Sequence, residues 1–358
     1  MSKKVTKEYK LYDDPLQYFH AMLEDIGSAK QSICLEVYRF NNDSIGVKFR
    51  DLLVRKSSEG VKVKILVDSW GTSLPSNFFQ DLLKHGGEVR FFMKLKFFWD
   101  FFTKNHRRNH RKLLIIDDEI TYIGSANITE YSLNWRESML MLKSDITPHF
   151  KSVFERHFGI YNKYIFEKQV NIRTITHEKC EIVLDVPSLS RQRIRKRYLE
   201  LIKSAKKEVC IETPYFLPGF LLRKAIMDAA KRKVKVKIIV PKHSDVRLID
   251  ILRNKYLGLL HRNGVEVLFY LPHNLHAKVL LIDQDIFSIG SPNFDYRSFR
   301  YQHEIVVVGS VKSVSRQVYG HLKETMRNSE AFNFENWQKR SPFQKIMEWM
   351  ILPFRHLL

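Results

Sequence analysis

Two stretches of the chain, HRKLLIIDDEITYIGSAN at 110–127 and HAKVLLIDQDIFSIGSPN at 276–293, carry the same polar residues at the same spacing. In each, a histidine and a lysine two positions apart are followed by an aspartate and then by Gly-Ser-x-Asn. The apolar runs between these residues have the length and composition of buried strands, and the polar residues between the runs indicate a turn. The pattern therefore predicts a strand, a turn and a second strand, formed twice.

These stretches belong to a longer internal repeat. Upstream, SICLEVYRF at 32–40 matches EVCIETPYF at 208–216, VKVKILV at 61–67 matches VKVKIIV at 234–240, and HGGEVRFF at 85–92 matches NGVEVLFY at 263–270. Segments with helical spacing of apolar residues lie between the strand-like runs, which predicts an α/β fold built twice. We place the two domains at 1–165 and 166–330, with a boundary near Phe166, and a tail at 331–358.

The polar residues of the repeated motif indicate an anion site. His110 and Lys112 stand two apart in an extended segment, so both side chains point to one face, and the same holds for His276 and Lys278. An ammonium, a hydroxyl and an amide are suitable donors to phosphate oxygens. Two such sets facing each other would hold one phosphoryl group between two imidazoles, as a displacement with a covalent intermediate requires.

Composition narrows the classes of protein. Lys and Arg number 60 against 39 Asp and Glu, for a net charge of +21, and 44% of the residues are hydrophobic. This mix excludes a disordered chain, and the apolar runs are too short for a membrane-embedded protein. Three scattered cysteines favour a reducing compartment, and the N-terminal stretch has no apolar segment typical of a signal peptide or an anchor. The charge favours an anionic partner, either nucleic acid or a membrane surface.

The pattern H-x-K-x4-D-x6-G-S-x-N, present twice, resembles the signature of the phospholipase D superfamily, and the likeness extends over nearly all of the chain. The second half is similar to bacterial cardiolipin synthases through TPYFLP at 213–218, VKIIVPKHSD at 236–245 and GSPNFDYRS at 290–298. The resemblance implies two tandem α/β domains, each a mixed sheet flanked by helices. It also implies that pseudo-twofold symmetry relates them and that the active site lies at their interface.

The resemblance further implies roles for the motif residues. His110 is expected to be the nucleophile that forms a phosphohistidine, and His276 the general acid and base. The residues expected to bind the phosphate oxygens or to support that binding are Lys112, Lys278, Asn127, Asn293, Ser125 and Ser291. Asp117 and Asp283 are expected to lie away from the phosphate and to hold the motif together.

An acidic residue downstream of each motif is expected to orient the histidine of the other half. On this reading Glu304 orients His110, and Glu137 orients His276. Lysines and asparagines rather than carboxylate clusters would meet the phosphate, so we expect neither a metal nor another cofactor. Both half-sites are in one chain, so a complete site does not require an oligomer.

Two segments outside the repeat favour contact with a membrane. Five aromatic residues lie among basic ones in KLKFFWDFFTK at 94–104, which we interpret as an interfacial loop, with a core element as the alternative. Ser341 and Pro342 predict the start of a helix with Phe343 and Ile346 on one side. This helix is too short to span a bilayer and fits one lying in the interface, although packing on the protein body is the alternative.

The leading hypothesis is therefore phosphatidyl transfer from phosphatidylglycerol to a second phospholipid hydroxyl, with release of glycerol and some hydrolysis. Anionic phospholipids and the membrane surface would be the partners, with the protein peripheral on the cytoplasmic face of the cell membrane. The runner-up is a phosphodiesterase of the same superfamily that acts on nucleic acid, which the net charge would also suit. A binding protein with a degenerate site is the weakest alternative, because both motifs are intact.

Overall fold

The computed structural model describes residues 7–93, 107–162, 173–188 and 190–356, and within these ranges the chain folds around two mixed β-sheets. The first half contains β1 (Glu8–Tyr12), β2 (Ser32–Val37), β3 (Lys62–Asp68), β4 (Glu88–Phe92), β5 (Arg108–Asn109), β6 (Leu113–Ile116), β7 (Ile120–Gly124) and β8 (Met139–Lys143). All of these except the short strand β5 belong to the first sheet. Their order in the sheet is β1-β8-β7-β6-β2-β3-β4, and β5 pairs instead with the second sheet.

The second sheet repeats this order. Its strands are β9 (Ile175–His177), β10 (Cys180–Asp185), β11 (Glu208–Glu212), β12 (Lys235–Pro241), β13 (Glu266–Tyr270), β14 (Val279–Ile282), β15 (Ile286–Gly290), β16 (Gln302–Gly309) and β17 (Ser329–Ala331). The order β10-β16-β15-β14-β11-β12-β13 matches the first sheet strand for strand, with β9 and β17 added at the edges. In the first sheet β2, β3 and β4 are parallel to one another, and so are β11, β12 and β13 in the second sheet. Within these orders, the other strands of each sheet pair antiparallel with their neighbours.

Helices cover both sheets. They are α1 (Pro15–Ser28), α2 (Ser44–Ser58), α3 (Gln80–Lys84), α4 (Thr147–Gly159), α5 (Arg193–Ser204), α6 (Phe220–Lys231), α7 (Arg247–Arg262), α8 (Tyr296–Tyr301), α9 (Lys312–Arg327), α10 (Phe334–Gln338) and α11 (Pro342–Ile351). In α1, Asp14 caps the first turn by accepting from the Gln17 amide at 3.1 Å, and Pro15 follows the cap. None of the helices in the described ranges has both the length and the apolar character needed to cross a bilayer.

Strand alternation divides the apolar residues among three cores. On β6, Leu113 and Ile115 enter a core shared by both halves, whereas Leu114 and Ile116 enter a core under the first sheet. On β14, Val279 likewise enters the shared core while its neighbour Leu280 enters a core under the second sheet. Because the shared core holds residues of both sheets, it fixes the two half-sites relative to each other.

The sequence predicts a junction between the two domains near Phe166 and a tail at 331–358. The predicted boundary near Phe166 falls within residues 163–172, outside the described residues, and stays a prediction. The second sheet extends to Ala331, and Trp337 then packs on Gly258 and donates its indole N–H to the Asn254 carbonyl at 2.8 Å. The first part of the segment at 331–358 is therefore packed on the second half.

Helix α11 begins where the sequence predicts, with a capping box in which the Ser341 hydroxyl accepts from the Gln344 amide. After it, Ile351 and Leu352 pack against the residues of α7, and the indole of Trp349 lies under the Lys255 ammonium at 3.8 Å from the ring centroid. One side of the helix is therefore docked on the protein. The aromatic segment at 94–104 lies outside the described residues.

Candidate active site

Each repeated motif forms a tight β-hairpin, as the sequence predicts. Strand β6 pairs with β7 and strand β14 pairs with β15, and the first two of the three residues in each connection have positive φ: Asp117 at 52°, Asp118 at 60°, Asp283 at 53° and Gln284 at 57°. Two consecutive left-handed residues match the twist of the flanking strands, and aspartate is among the side chains that tolerate this conformation. The histidine and lysine precede the first strand, so they lie at the end opposite the turn.

Asp117 and Asp283 hold the hairpins in place. The Asp117 carboxylate accepts from the amides of Lys30, Gln31 and Ser32, at 2.7 to 2.8 Å. Asp283 makes the equivalent contacts with the amides before β11, at 2.6 to 2.9 Å. Burial opposes ionisation of Asp283, but the backbone N–H groups hold the pKa of this carboxyl below its usual value. Both aspartates are therefore positioning residues with no place in the cavity described next.

The two motif histidines meet at one cavity. His110 and His276 are 7% and 6% exposed, and both line a cavity of about 250 Å³ together with Asn127 and Asn293. Backbone contacts cross between the halves at this point: the His110 amide donates to the His303 carbonyl at 3.0 Å, and the His276 amide donates to the Arg136 carbonyl at 2.8 Å. The sheets therefore hold the histidines through main-chain contacts as well as through side chains.

Each histidine is anchored by a carboxylate from the other half. His110 Nδ1 lies 3.0 Å from Glu304 Oε1, and His276 Nδ1 lies 2.9 Å from Glu137 Oε1. An ionised carboxylate only accepts, so Nδ1 of each ring is the donor whenever its glutamate is ionised, and Nε2 is left for chemistry in the cavity. This is the crossed arrangement that the sequence comparison implied.

Ser125 and Ser291, which were expected to support phosphate binding, contact the two glutamates. The Ser125 hydroxyl donates to Glu137, and the Ser291 hydroxyl donates to Glu304, so each serine fixes the glutamate of its own half. The amides of Ser138 and Ile305 in turn donate to these hydroxyls. The serines thus complete a chain from serine to glutamate to histidine, and neither lines the cavity.

Each motif lysine contacts the backbone carbonyl of the histidine two positions before it. Lys112 Nζ donates to the His110 carbonyl at 2.7 Å, and Lys278 Nζ donates to the His276 carbonyl at 2.6 Å. Burial lowers the pKa of Lys112 well below its usual value and that of Lys278 to about 8. An ammonium has three donors, so each lysine retains donors for an anion, whose charge would also stabilise the protonated form.

The two histidine–glutamate pairs differ in charge. Burial, Lys112 and Lys278 hold the pKa of His110 well below its usual value, and burial raises the pKa of Glu304 to about 7. Burial also lowers the pKa of His276. Burial opposes ionisation of Glu137, yet His276 and Lys278 hold its pKa below the usual value. Both motif histidines are therefore held towards the neutral form, and the two pairs differ in their glutamates, because the pKa of Glu304 is raised and that of Glu137 is lowered.

Sequence reasoning missed a further layer of buried polar residues. His157 Nδ1 on α4 lies 2.5 Å from Glu36 of β2, and His321 Nε2 on α9 lies 2.6 Å from Glu212 of β11. The repeat alignment placed Glu36 over Glu212, which was a usable signal. The two helices that carry the histidines have no matching sequence, so nothing pointed to the pairs themselves.

The first half also contains a buried ion pair next to its motif. Arg108 and Asp68 are both fully buried, and Arg108 Nη2 lies 2.6 Å from Asp68 Oδ1. Asp68 also accepts from the Asn109 amide at 2.8 Å, one residue before the histidine. The repeat places Pro241 at the position of Asp68, so this support exists in one half only.

One group of three potential metal ligands occurs among the described residues: Asp145, His177 and Glu178. It lies at the surface, and Lys7 contacts both Asp145 and Glu178. None of the three lines the cavity. The expectation that the reaction uses no metal and no other cofactor stays a prediction.

Comparison with known proteins places this geometry in a family. A family model described as "Cardiolipin synthase, PLD-like domain" matches residues 22–158 and 198–326. The chain belongs to this family. It is 32% identical over 354 residues to the cardiolipin synthase of Listeria welshimeri, covering 95% of this chain and 73% of that one. The cardiolipin synthase of Clostridium perfringens is 30% identical over 357 residues, covering 95% of this chain and 75% of that protein.

Solved structures show the same fold. The phosphatidylserine synthase of Haemophilus influenzae matches with a TM-score of 0.77 at 13% identity, over 98% of this chain and 95% of that one. The polyphosphate kinase of Porphyromonas gingivalis matches with a TM-score of 0.63 at 12% identity, over 98% of this chain and 54% of that one. The predicted fold, family and enzyme class, a phosphatidyltransferase of the cardiolipin synthase family, are confirmed.

Proposed function

We propose that this family member is a cardiolipin synthase that transfers a phosphatidyl group from phosphatidylglycerol to a hydroxyl of a second phospholipid. Water as acceptor would give phospholipase D hydrolysis as a side reaction. The observation that carries the proposal is the pair of histidines from different halves, each anchored at Nδ1 by a buried glutamate, which line one cavity.

In the first step, His110 Nε2 attacks the phosphorus of phosphatidylglycerol. A nitrogen–phosphorus bond forms, the bond from phosphorus to the glycerol oxygen breaks, and His276 gives its proton to that oxygen, so that glycerol leaves. His110 suits attack because burial keeps it neutral, and His276 suits proton donation because the Glu137 carboxylate, 2.9 Å from its Nδ1, offsets part of the effect of burial on its protonated form.

In the second step, the hydroxyl of a second phospholipid takes the place of glycerol. His276, now neutral, removes the hydroxyl proton while the oxygen attacks phosphorus, and the nitrogen–phosphorus bond to His110 breaks. Cardiolipin leaves and both histidines return to their starting protonation. Lys112, Lys278 and the amides of Asn127 and Asn293 would stabilise the charge on the phosphate oxygens through both steps. The Asn127 carbonyl oxygen accepts from the Arg39 amide at 3.3 Å, which leaves its NH₂ group for this purpose.

The test is a lipid assay with purified protein and radiolabelled phosphatidylglycerol in detergent. We expect cardiolipin and free glycerol from the wild type, a protein-bound label that accumulates in His276→Asn, and no protein-bound label in His110→Asn. Each substitution should reduce turnover by at least about 10²-fold. His85→Asn, at an exposed histidine outside the cavity, is the matched control and should behave as the wild type.

Two outcomes would contradict the proposal. Label that accumulates in His110→Asn rather than in His276→Asn would reverse the two roles. No transfer or hydrolysis of lipid, together with efficient cleavage of plasmid DNA, would favour the phosphodiesterase that the net charge also suits.

A membrane partner follows from the surface of the tail helix. Phe343, Ile346 and Met350 of α11 are 70%, 55% and 64% exposed, and Trp349 beside them is 69% exposed. Since the opposite side of the helix packs on α7, we propose that the exposed side enters the interface of an anionic bilayer. The protein would then be peripheral on the cytoplasmic face of the cell membrane, attracted there by its net charge of +21.

Co-sedimentation with liposomes of phosphatidylglycerol tests this surface. The double substitution Phe343→Ser and Ile346→Ser should weaken binding by about tenfold, because each removes the burial of a large apolar side chain. Turnover of detergent-dispersed substrate should be unchanged. The control is Leu16→Ser with Leu83→Ser, at exposed leucines of the first half. Equal binding by all three proteins would remove the tail helix from the membrane contact.

A further inference from the structure

The two halves place different groups at one repeated position of the cavity wall. The repeat places Arg39 and Tyr215 at the same position, one residue before phenylalanines that make equivalent bridges, Phe40 to Ile128 and Phe216 to Phe294. Arg39 Nη1 donates to the Tyr131 hydroxyl at 3.0 Å. In the second half the Tyr215 hydroxyl instead donates to Asp245 at 2.6 Å. Arg39, Tyr131, Tyr215 and Asp245 all line the cavity with the two histidines.

The carboxylate of Asp245 is held by a rigid loop. Before it, the Ser244 amide donates to Asp250 at 2.8 Å. Arg253, 2% exposed, donates to the carbonyls of Pro241 at 2.7 Å and Lys242 at 3.2 Å. These contacts fix the segment between β12 and α7, so the position of Asp245 does not depend on a ligand. A preformed acceptor loses little conformational entropy when it binds one.

Asp245 has unused acceptor capacity. Among the described residues, no cation lies within ion-pair distance of it, and the Tyr215 hydroxyl is its hydrogen-bond donor. A carboxylate offers about four acceptor positions, of which one is used here. Burial, Asp245 and Asp295 hold the pKa of Tyr215 well above its usual value, so the phenol keeps its proton and remains a donor.

The surrounding charges decide which ligand fits this acceptor. Arg39 and Arg297 line the same cavity, and Lys278 is close enough for Asp245 to raise its pKa. These cations disfavour an ammonium group and would attract the phosphate. A neutral group with several hydroxyls can donate to Asp245 without meeting like charge, and it can reach this wall while its phosphate lies between the histidines.

We propose that Tyr215 and Asp245 form the subsite for the glycerol hydroxyls of the headgroup, both as glycerol leaves and as the acceptor hydroxyl arrives. The subsite deepens the proposed phosphatidyl transfer and rests on it. Asp245 would accept from a hydroxyl that does not react, and this places the reacting hydroxyl towards phosphorus. The enzyme would therefore prefer glycerol to an alcohol of the same length with one hydroxyl, and to water.

An acceptor competition tests the subsite. Purified protein in detergent receives phosphatidylglycerol with equimolar radiolabelled glycerol and 1-propanol, and the two phosphatidyl products are separated and counted. The wild type should prefer glycerol, and Asp245→Ala should reduce the ratio of the two products by about tenfold or more, as expected when a hydrogen bond to a charged group is lost. Asp245→Asn and Tyr215→Phe should give intermediate ratios. Asp228→Asn, at an exposed aspartate of α6 outside the cavity, should leave the ratio unchanged.

The results that would overturn the proposed subsite can be told apart from those that would overturn the proposed function. An unchanged product ratio in Asp245→Ala, or an equal loss of both products and of hydrolysis, would overturn it, the latter because a purely structural role predicts it. A parallel arm with ethanolamine would overturn it if that acceptor loses more than glycerol does. If the wild type transfers nothing from phosphatidylglycerol, the proposed function itself has failed. Transfer with an unchanged ratio overturns the subsite alone.

Discussion

The two half-sites have the same sequence motif but not the same electrostatics. In one, His110 faces Glu304, whose pKa burial raises to about 7; in the other, His276 faces Glu137, whose pKa stays below its usual value although burial opposes ionisation. Contact distances are nearly equal in the two pairs, at 3.0 and 2.9 Å. The difference shows that surroundings alone can give two copies of one motif different electrostatics, as the separate roles that we propose for the two histidines would require.

The residue before each glutamate shows how the surroundings differ. In the pair with His110 it is His303, buried 3.2 Å from His157 and held neutral by burial and nearby cations. In the pair with His276 it is Arg136, a permanent cation that contacts Asp13 at 3.1 Å. The backbone carbonyl of each residue accepts from the amide of the motif histidine in the other half. The main-chain contacts of the two motif histidines are therefore the same in both halves, whereas the side chains that precede the two glutamates differ in charge.

We expect the largest difference between the half-sites when each glutamate is replaced by neutral glutamine. Glu137→Gln removes the charge that stabilises protonated His276, and we expect transfer from phosphatidylglycerol to fall by about 10³-fold. Glu304→Gln leaves a neutral acceptor for a neutral imidazole, and we expect a fall of about tenfold. Initial rates of cardiolipin formation measure both. A loss in Glu304→Gln equal to or larger than that in Glu137→Gln would contradict the assignment.

The same two variants should have opposite dependences of stability on pH. The folded-state pKa of Glu304 is raised from 4.5 to about 7, so its contribution is present below about pH 4.5 and is lost as pH rises towards 7. Glu304→Gln should therefore gain stability relative to the wild type across this window, by up to about 3 kcal/mol.

The pKa of Glu137 is lowered, so its contribution is present above about pH 4.5 and is lost as pH falls through the folded-state value. Glu137→Gln should be less stable than the wild type at neutral pH, with a gap that closes in acid. Denaturant unfolding between pH 4 and 8 checks both. Parallel curves for the two variants would show that the half-sites are electrostatically alike.

The hairpin aspartates of the two halves are expected to behave alike, because their contacts are equivalent. Asp117→Asn and Asp283→Asn each weaken hydrogen bonds from three backbone amides to a carboxylate. We expect each to lower the free energy of unfolding by about 1–3 kcal/mol, with little change in turnover well below the unfolding temperature. Asp51→Asn, at an exposed aspartate, is the control. A large loss of turnover in folded protein would give these aspartates a direct role in the reaction.

Much of the site was predictable because hairpin motifs are local. Alternation along an extended segment predicts that His110 and Lys112 point to one face, and the repeated spacing predicts the same for His276 and Lys278. The supporting role expected for Ser125 and Ser291 stays a prediction, and their contacts with the glutamates were not predictable, because a motif gives no information on which carboxylate lies within reach of a hydroxyl. Asp245 and Tyr215, 30 positions apart in the chain, gave no signal as a pair.

The sequence by itself determined the duplication, the alternation of strands and helices along the chain and the residue types of the two motifs, because these follow from repeated apolar periodicity and fixed spacing. Only the tertiary structure decided how the two histidines differ. The pKa of a buried group depends on every charge and dipole around it, and those around His110 and His276 come from parts of the chain that are far apart, such as β16 with Glu304 and the segment before β8 with Glu137. The same holds for the cavity wall, where the fold brings Tyr215 onto Asp245.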